Sequence, residues 1–192
     1  MKICIFGASS DNIDKIYFEK TEELGAKLAT RSHALIFGAG AHGLMGAAAR
    51  GAKSADGEII GIVPFFFDEG DIIFRDCTKL VFTETMAERK KMMEDEADAF
   101  VMVPGGVGTY EEFFEVLTLK QLDKHRKPLA IFNINGYYDK FLELMSHTVS
   151  AGFMTEKANS VYRCFTDADE LLSYIENDKA DYGDIGKYSE QK

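Results

Sequence analysis

The chain has 192 residues, with 22 Lys and Arg against 32 Asp and Glu and a net charge of −10. That length suits one α/β domain with a full core, and the acidic balance excludes a general nucleic-acid surface, which needs clustered Lys and Arg. Three scattered cysteines, Cys4, Cys77 and Cys164, form no CxxC pair and so argue against a disulfide framework or a zinc knuckle.

The N-terminal "MKICIFGASS" is an apolar run too short for a secretory leader or a bilayer span, so a cytoplasmic protein is expected. "KICIFG" reads as a first strand, with Cys4 as a small core residue, and "YFEKTEELGAKLATR" as an amphipathic helix. "HALIFG" is a second strand and "GLMGAAARGAKSA" a helix whose small residues let it lie close to the sheet. "EIIGIVP" and "KLVFTE" are the third and fourth strands, followed by the helix "MAERKKMMEDEA". "AFVMVPGG" is a fifth strand leading into the helix "TYEEFFEVLTLKQL". "PLAIFN" is a sixth strand, "YYDKFLELMSHTVSAG" a helix, "SVYRCF" a seventh strand and "DADELLSYIEN" a closing helix. The strands are continuous apolar runs, as in a parallel sheet buried on both faces. The expected fold is therefore α/β: a single-domain, Rossmann-like, doubly wound parallel sheet of about seven strands, spanning residues 1–178, with a polar tail over 179–192.

Ligands of such sheets bind outside the carboxyl ends of the strands. Four loops fall there: "GASS", "GAGAHGLMG", the aromatic and acidic "FFFDEGD" after Pro64, and "PGGVGT". "GAGAHG" matches G-x-G-x-x-G formally but follows the second strand, and the next strand ends "GIVP" without the acid a dinucleotide ribose needs. In "PGGVGTYEE", Gly105, Gly106 and Gly108 can adopt backbone angles that aim N–H groups inward, where they meet a helix N-terminus suited to phosphate. Thr109-x-x-Glu112 also has the spacing of a capping box, as does Thr85-x-x-Glu88, so a plain cap stays open here. In "MAERKKMM", Met86, Arg89, Lys90 and Met93 share one helical face. Two cations inside an apolar stripe read either as a snorkelling pair or as a basic pair aimed into the crevice at an anionic ligand. His42 lies in a crevice loop and reads either as a turn residue, the favoured reading, or as a ligand contact. The four histidines have no ligand spacing, so no metal site is expected.

The pairing of "MAERKKMM" with "PGGVGTYEE" resembles the signature of the LOG ("Lonely Guy") family of cytokinin riboside 5′-monophosphate phosphoribohydrolases, M-x-x-R-K-x-x-M followed by P-G-G-x-G-T-x-x-E. The resemblance runs from "FGASS" through "GLMG", "GIVP" and "NINGYYD" to about "AGFM", with "FGASS" where the family usually has C-G-S-S and "GAG" where it has G-G-G. Members often carry the label lysine decarboxylase. That chemistry is unsupported here, since such a decarboxylase needs a pyridoxal cofactor held by a Lys and this chain is short for that fold.

The resemblance implies hydrolysis of the N-glycosidic bond of an adenosine-type 5′-monophosphate to free base and ribose 5-phosphate, with no cofactor and no metal. It implies Arg89 and Glu112 as the catalytic pair, and Met86, Lys90 and Thr118 as substrate contacts. The loop positions Gly105, Gly106, Val107, Gly108, Thr109, Tyr110 and Glu111 join them, with Ser9 and Asp71 in neighbouring loops. The implied partner is an AMP-like nucleotide, with no nucleic acid and no membrane, in a homodimer. Two readings stand beside it: a non-catalytic nucleotide-binding module on the same fold, and a phosphohydrolase using the acidic loop at 68–71.

Overall fold

The computed structural model describes residues 1–68 and 70–178; the tail expected over 179–192 lies outside the described residues. Seven strands make one sheet: β1 (Lys2–Phe6), β2 (Ala34–Phe37), β3 (Ile59–Pro64), β4 (Lys79–Thr83), β5 (Ala99–Met102), β6 (Leu129–Phe132) and β7 (Arg163–Phe165). Their order is β4-β3-β2-β1-β5-β6-β7 and every pairing is parallel. The helices are α1 (Lys15–Thr30), α2 (Gly43–Ser54), α3 (Met86–Glu96), α4 (Val107–Gln121), α5 (Asp139–Ser150), the single turn α6 (Glu156–Asn159) and α7 (Ala168–Asn177).

The continuous apolar strands divide between two cores with a period of two. In β1, Ile3 and Ile5 face one cluster with Leu24 and Leu28 of α1, Ala48 of α2 and Leu171 of α7. Cys4 and Phe6 face the other, with Met93 of α3, Phe113 and Val116 of α4, and Phe141 of α5. Each large apolar side chain so buried contributes about 1.5–3 kcal/mol, and burial on both faces is why these runs do not alternate with polar residues.

The alanines of α2, Ala48, Ala49 and Ala52, pack into the cluster on the sheet, and its glycine Gly51 also admits α1: a Cβ on Gly51 would stand 1.9 Å from the Glu22 carbonyl oxygen, and one on Gly25 of α1 2.2 Å from that of Ala48. Near the C-terminus, α6 was not legible. Thr155 caps it by accepting from the Ala158 N–H at 3.1 Å, and it delays β7 to Arg163, so Val161 and Tyr162 are buried ahead of the strand.

Chain order reverses at β1, which pairs with β2 on one side and β5 on the other. Loops leaving β1 and β5 diverge there and open a crevice, the place where doubly wound sheets bind ligands.

Candidate functional site

A cavity of about 540 Å³ occupies that crevice, a size usual for small-molecule sites. All four loops singled out in the sequence line it, through residues 7–9, 38–40 with His42, Phe67 with 72–73, and 106–109. Its wall on the β2–β3 side is apolar, formed by Ala39, Met45, Val63, Phe67, Ile72 and Ile73. The loop after Pro64 is held to the second loop by the Ala41 N–H donating to the Ile72 carbonyl at 2.8 Å and by a bridge between Gly40 and Ile73.

The fifth-strand loop and α4 form the opposite wall. α4 begins at Val107, two residues earlier than the pattern predicts, so Gly106 is its N-cap and no side chain caps that end. Thr109 lies inside the first turn, buried, with its hydroxyl against Gly105, where a Cβ would meet it at 2.1 Å. This excludes the capping-box reading of Thr109 and Glu112. At α3 the same spacing is a true cap: Thr85 accepts from the Glu88 N–H at 3.1 Å and Glu88 accepts from the Glu84 N–H at 2.9 Å. None of Gly105, Gly106 and Gly108 has positive φ. A Cβ on Gly106 or Gly108 would meet nothing within 4 Å, so these residues leave open space in front of the helix N-terminus rather than relieve strain. Behind the loop, Tyr137 donates to the Gly105 carbonyl at 2.7 Å and Tyr138 to the Val103 carbonyl at 2.8 Å. These tyrosines were visible in "NINGYYD" only as a flank of the resemblance.

Arg89 reaches the floor of the cavity from α3 and is 7% exposed. Its Nε donates to the Ile62 carbonyl at 3.2 Å and its Nη1 to Glu112 Oε1 at 3.0 Å. Gly38 makes room for it, since a Cβ there would stand 1.8 Å from Nη2. Glu112 comes from the second turn of α4 with its side chain 13% exposed. Burial pushes its carboxyl above the usual carboxylate range, and the Arg89 cation opposes that shift. A carboxylate and a guanidinium thus face the cavity as a desolvated pair, between an uncapped helix N-terminus and an apolar wall.

Among the other sequence candidates, Ser9, Met86, Val107 and Glu111 also line the cavity. Lys90 does not. It turns to α4 and pairs with Glu111 and with Glu115, the latter at 2.9 Å, so of the two cations only Arg89 enters the crevice. Gly105 lies behind the loop, and Tyr110 stacks on Phe141 at 5.8 Å, away from the cavity. Asp71 and Thr118 are exposed and outside its lining. Among the described residues, no three His, Cys, Asp or Glu side chains converge as a metal site would need, and no helix is long and apolar enough to cross a membrane.

Comparisons with known proteins extend over most of the chain. The family model described as "Possible lysine decarboxylase" matches residues 45–175. A cytokinin riboside 5′-monophosphate phosphoribohydrolase of Arabidopsis thaliana, LOG2, is 33% identical over 91% of this chain and 82% of its own length. The rice enzyme LOG (Oryza sativa subsp. japonica) is 33% identical over 94% of this chain and 75% of its own. Among solved structures, the molybdenum cofactor carrier protein of Chlamydomonas reinhardtii has the same fold, with a TM-score of 0.69 at 21% identity over 91% of this chain and 95% of that one. At that level of identity the likeness concerns the fold, whereas the matches to the enzymes and to the family model concern descent: this chain belongs to the LOG family, the family of the cytokinin riboside 5′-monophosphate phosphoribohydrolases.

Proposed function

We propose that the protein hydrolyses the N-glycosidic bond of an adenosine or N6-modified adenosine 5′-monophosphate, releasing free base and ribose 5-phosphate. The observation that carries this reading is the buried Arg89–Glu112 pair facing the cavity beside the uncapped start of α4. The phosphate is received by the amides of 107–109, where the helix dipole favours an anion and Gly106 and Gly108 leave space. The base lies against the apolar wall, and the sugar spans the gap. Cleavage passes through an oxocarbenium-like ribose, positive at C1′. Glu112, ionised and desolvated, stabilises that charge and takes a proton from the attacking water. Arg89 holds Glu112 in the ionised form and fixes its direction, with its own reach set by the Ile62 carbonyl.

The test is direct. Purified protein is incubated with AMP and with isopentenyladenosine monophosphate, and base, nucleoside and nucleotide are separated by chromatography. Free base from either is expected, with Glu112→Gln slower by at least about 10²–10³-fold, the usual cost of one lost transition-state contact, while still binding nucleotide in calorimetry. Binding without base release from the unaltered protein would instead make it a nucleotide carrier, and free phosphate would make it a phosphohydrolase. The proposal includes a homodimer, supported by the exposed Phe114 of α4 and Leu144 of α5. Sedimentation velocity at twice the chain mass is the expected result, and a monomer at micromolar concentration would remove that part of the proposal.

A further inference from the structure

The reaction leaves one demand unmet by Arg89 and Glu112. An adenine that departs with the bonding electron pair needs a proton on the ring, and both of those groups are committed to each other on the sugar side. Across the cavity stands His42, the residue immediately before α2, itself part of the cavity lining. Its Nδ1 is 2.7 Å from Asp11 Oδ2, and the other oxygen of Asp11 accepts from the Gly43 N–H at 2.7 Å. Asp11 thus grips the imidazole and the next backbone amide together, which defines the ring's direction. Facing a carboxylate, Nδ1 is the protonated nitrogen, and Nε2 is left for a ligand.

The placement of this dyad separates it from the phosphate end. The first amides of α2 are already bonded: Gly43 to Asp11, Leu44 to the Ala8 carbonyl at 2.8 Å and Gly46 to the His42 carbonyl at 3.1 Å. The α4 N-terminus has no side-chain cap, so the two helix ends facing the crevice are unequal and phosphate belongs at α4. His42 sits beside the apolar wall, one residue after the Ala41 amide that bonds Ile72. The charged groups around it are Asp11 from the loop after β1 and Arg50 from α2, whose Nη1 donates to the Ala41 carbonyl at 3.3 Å, with Arg89, Glu111 and Glu112 on the far side of the cavity.

The geometry points to His42 as the general acid of this reaction, oriented by Asp11, that protonates the departing base. This rests on the glycosidase reading above. In the step, the C1′–N bond breaks with its electron pair moving to the base, and the imidazolium Nε2–H passes its proton to a ring nitrogen. Water adds to C1′ and gives a proton to Glu112. Glu112 then returns a proton to solvent and His42 takes one up, so the net change is hydrolysis. Asp11 is a positioning residue, acting through the imidazole.

A pair of substrates with different leaving groups tests this. AMP carries a base that needs a proton. A p-nitrophenyl riboside 5-phosphate releases a phenolate that needs none. His42→Gln and His42→Ala are expected to cut kcat on AMP by about 10²-fold or more, to alter kcat on the phenolate substrate far less, and to abolish the alkaline limb of the pH profile for AMP. Asp11→Asn is expected to give an intermediate loss on AMP with the same bias between substrates, and thermal melts check that all three variants fold. Equal losses on both substrates, or no loss on AMP, overturn the assignment while Glu112→Gln still silences both substrates. If the unaltered protein cleaves neither substrate, the glycosidase reading itself falls and this assignment falls with it.

Discussion

At the scale of single residues, the site turns on two opposed influences on one carboxyl group where water is scarce. Burial raises the Glu112 carboxyl and the Arg89 guanidinium at 3.0 Å lowers it, with burial the larger influence. The native state therefore holds that proton to higher pH than the unfolded chain does. Ionising Glu112 costs stability as pH rises from the unfolded value through the folded one. In the proposed mechanism, the ionised form that acts is then lost on the acid side at a pH above the usual carboxylate range. A ¹³C NMR titration of the carboxyl resonances, with the Glu112 signal identified by its absence in Glu112→Gln, is expected to show this. Arg89→Ala removes the opposing cation and is expected to move the midpoint further upward. A midpoint that stays put or falls would mean that Arg89 does not hold the ionised form, and its role would reduce to contacting substrate. Gly38 belongs to the same arrangement, because any side chain there occupies the space of the guanidinium.

Two helices with one spacing, Thr-x-x-Glu, show how the elements divide structural from functional work. Thr85 caps α3, so Thr85→Ala is expected to lower unfolding free energy by about 1 kcal/mol and to leave kcat within a few fold, as urea unfolding and a steady-state assay would show. Thr109 caps nothing. Thr109→Val is expected to raise KM for the nucleotide by tenfold or more, the cost of one hydrogen bond to a charged phosphate. A Thr109→Val variant that loses stability and keeps its KM would return Thr109 to a structural role. This contrast was not legible in the sequence, because Val107 and Gly108 read as loop and the start of α4 was set two residues late. Glycine and valine are weak helix formers, and here packing of Phe113 and Val116 into the core overrides that preference. What was legible came from burial patterns and spacing: the seven apolar runs, the shared face of Met86, Arg89 and Met93, and the four loops at one end of the sheet. Missed were facts of tertiary contact: Lys90 turning to Glu115, Tyr137 and Tyr138 holding the glycine loop, and Asp11 holding His42.

For the whole molecule, the charge of −10 and the proposed anionic ligand are reconciled by locality. In the proposed reading, a phosphate within hydrogen-bond reach of three backbone amides feels the positive end of α4, a field local to the helix terminus that the net charge of the chain does not set. The crevice also sits where the strand order reverses in the sheet, so its two walls come from separate runs of sequence. A nucleotide that bridges those walls should tie them together. In the Glu112→Gln background, AMP at 100 times its Kd is expected to raise unfolding free energy by about 2.7 kcal/mol. Amide hydrogen exchange is expected to slow at 7–9 and 38–42 as well as at 106–109, whereas inorganic phosphate should slow 106–109 alone. Protection of the first two segments by phosphate alone would place the anion at the α2 end and reverse the orientation of the nucleotide in the crevice. Protection confined to 106–109 even with AMP would mean that the base never reaches the apolar wall, and the split between the two walls would then have no bearing on the reaction.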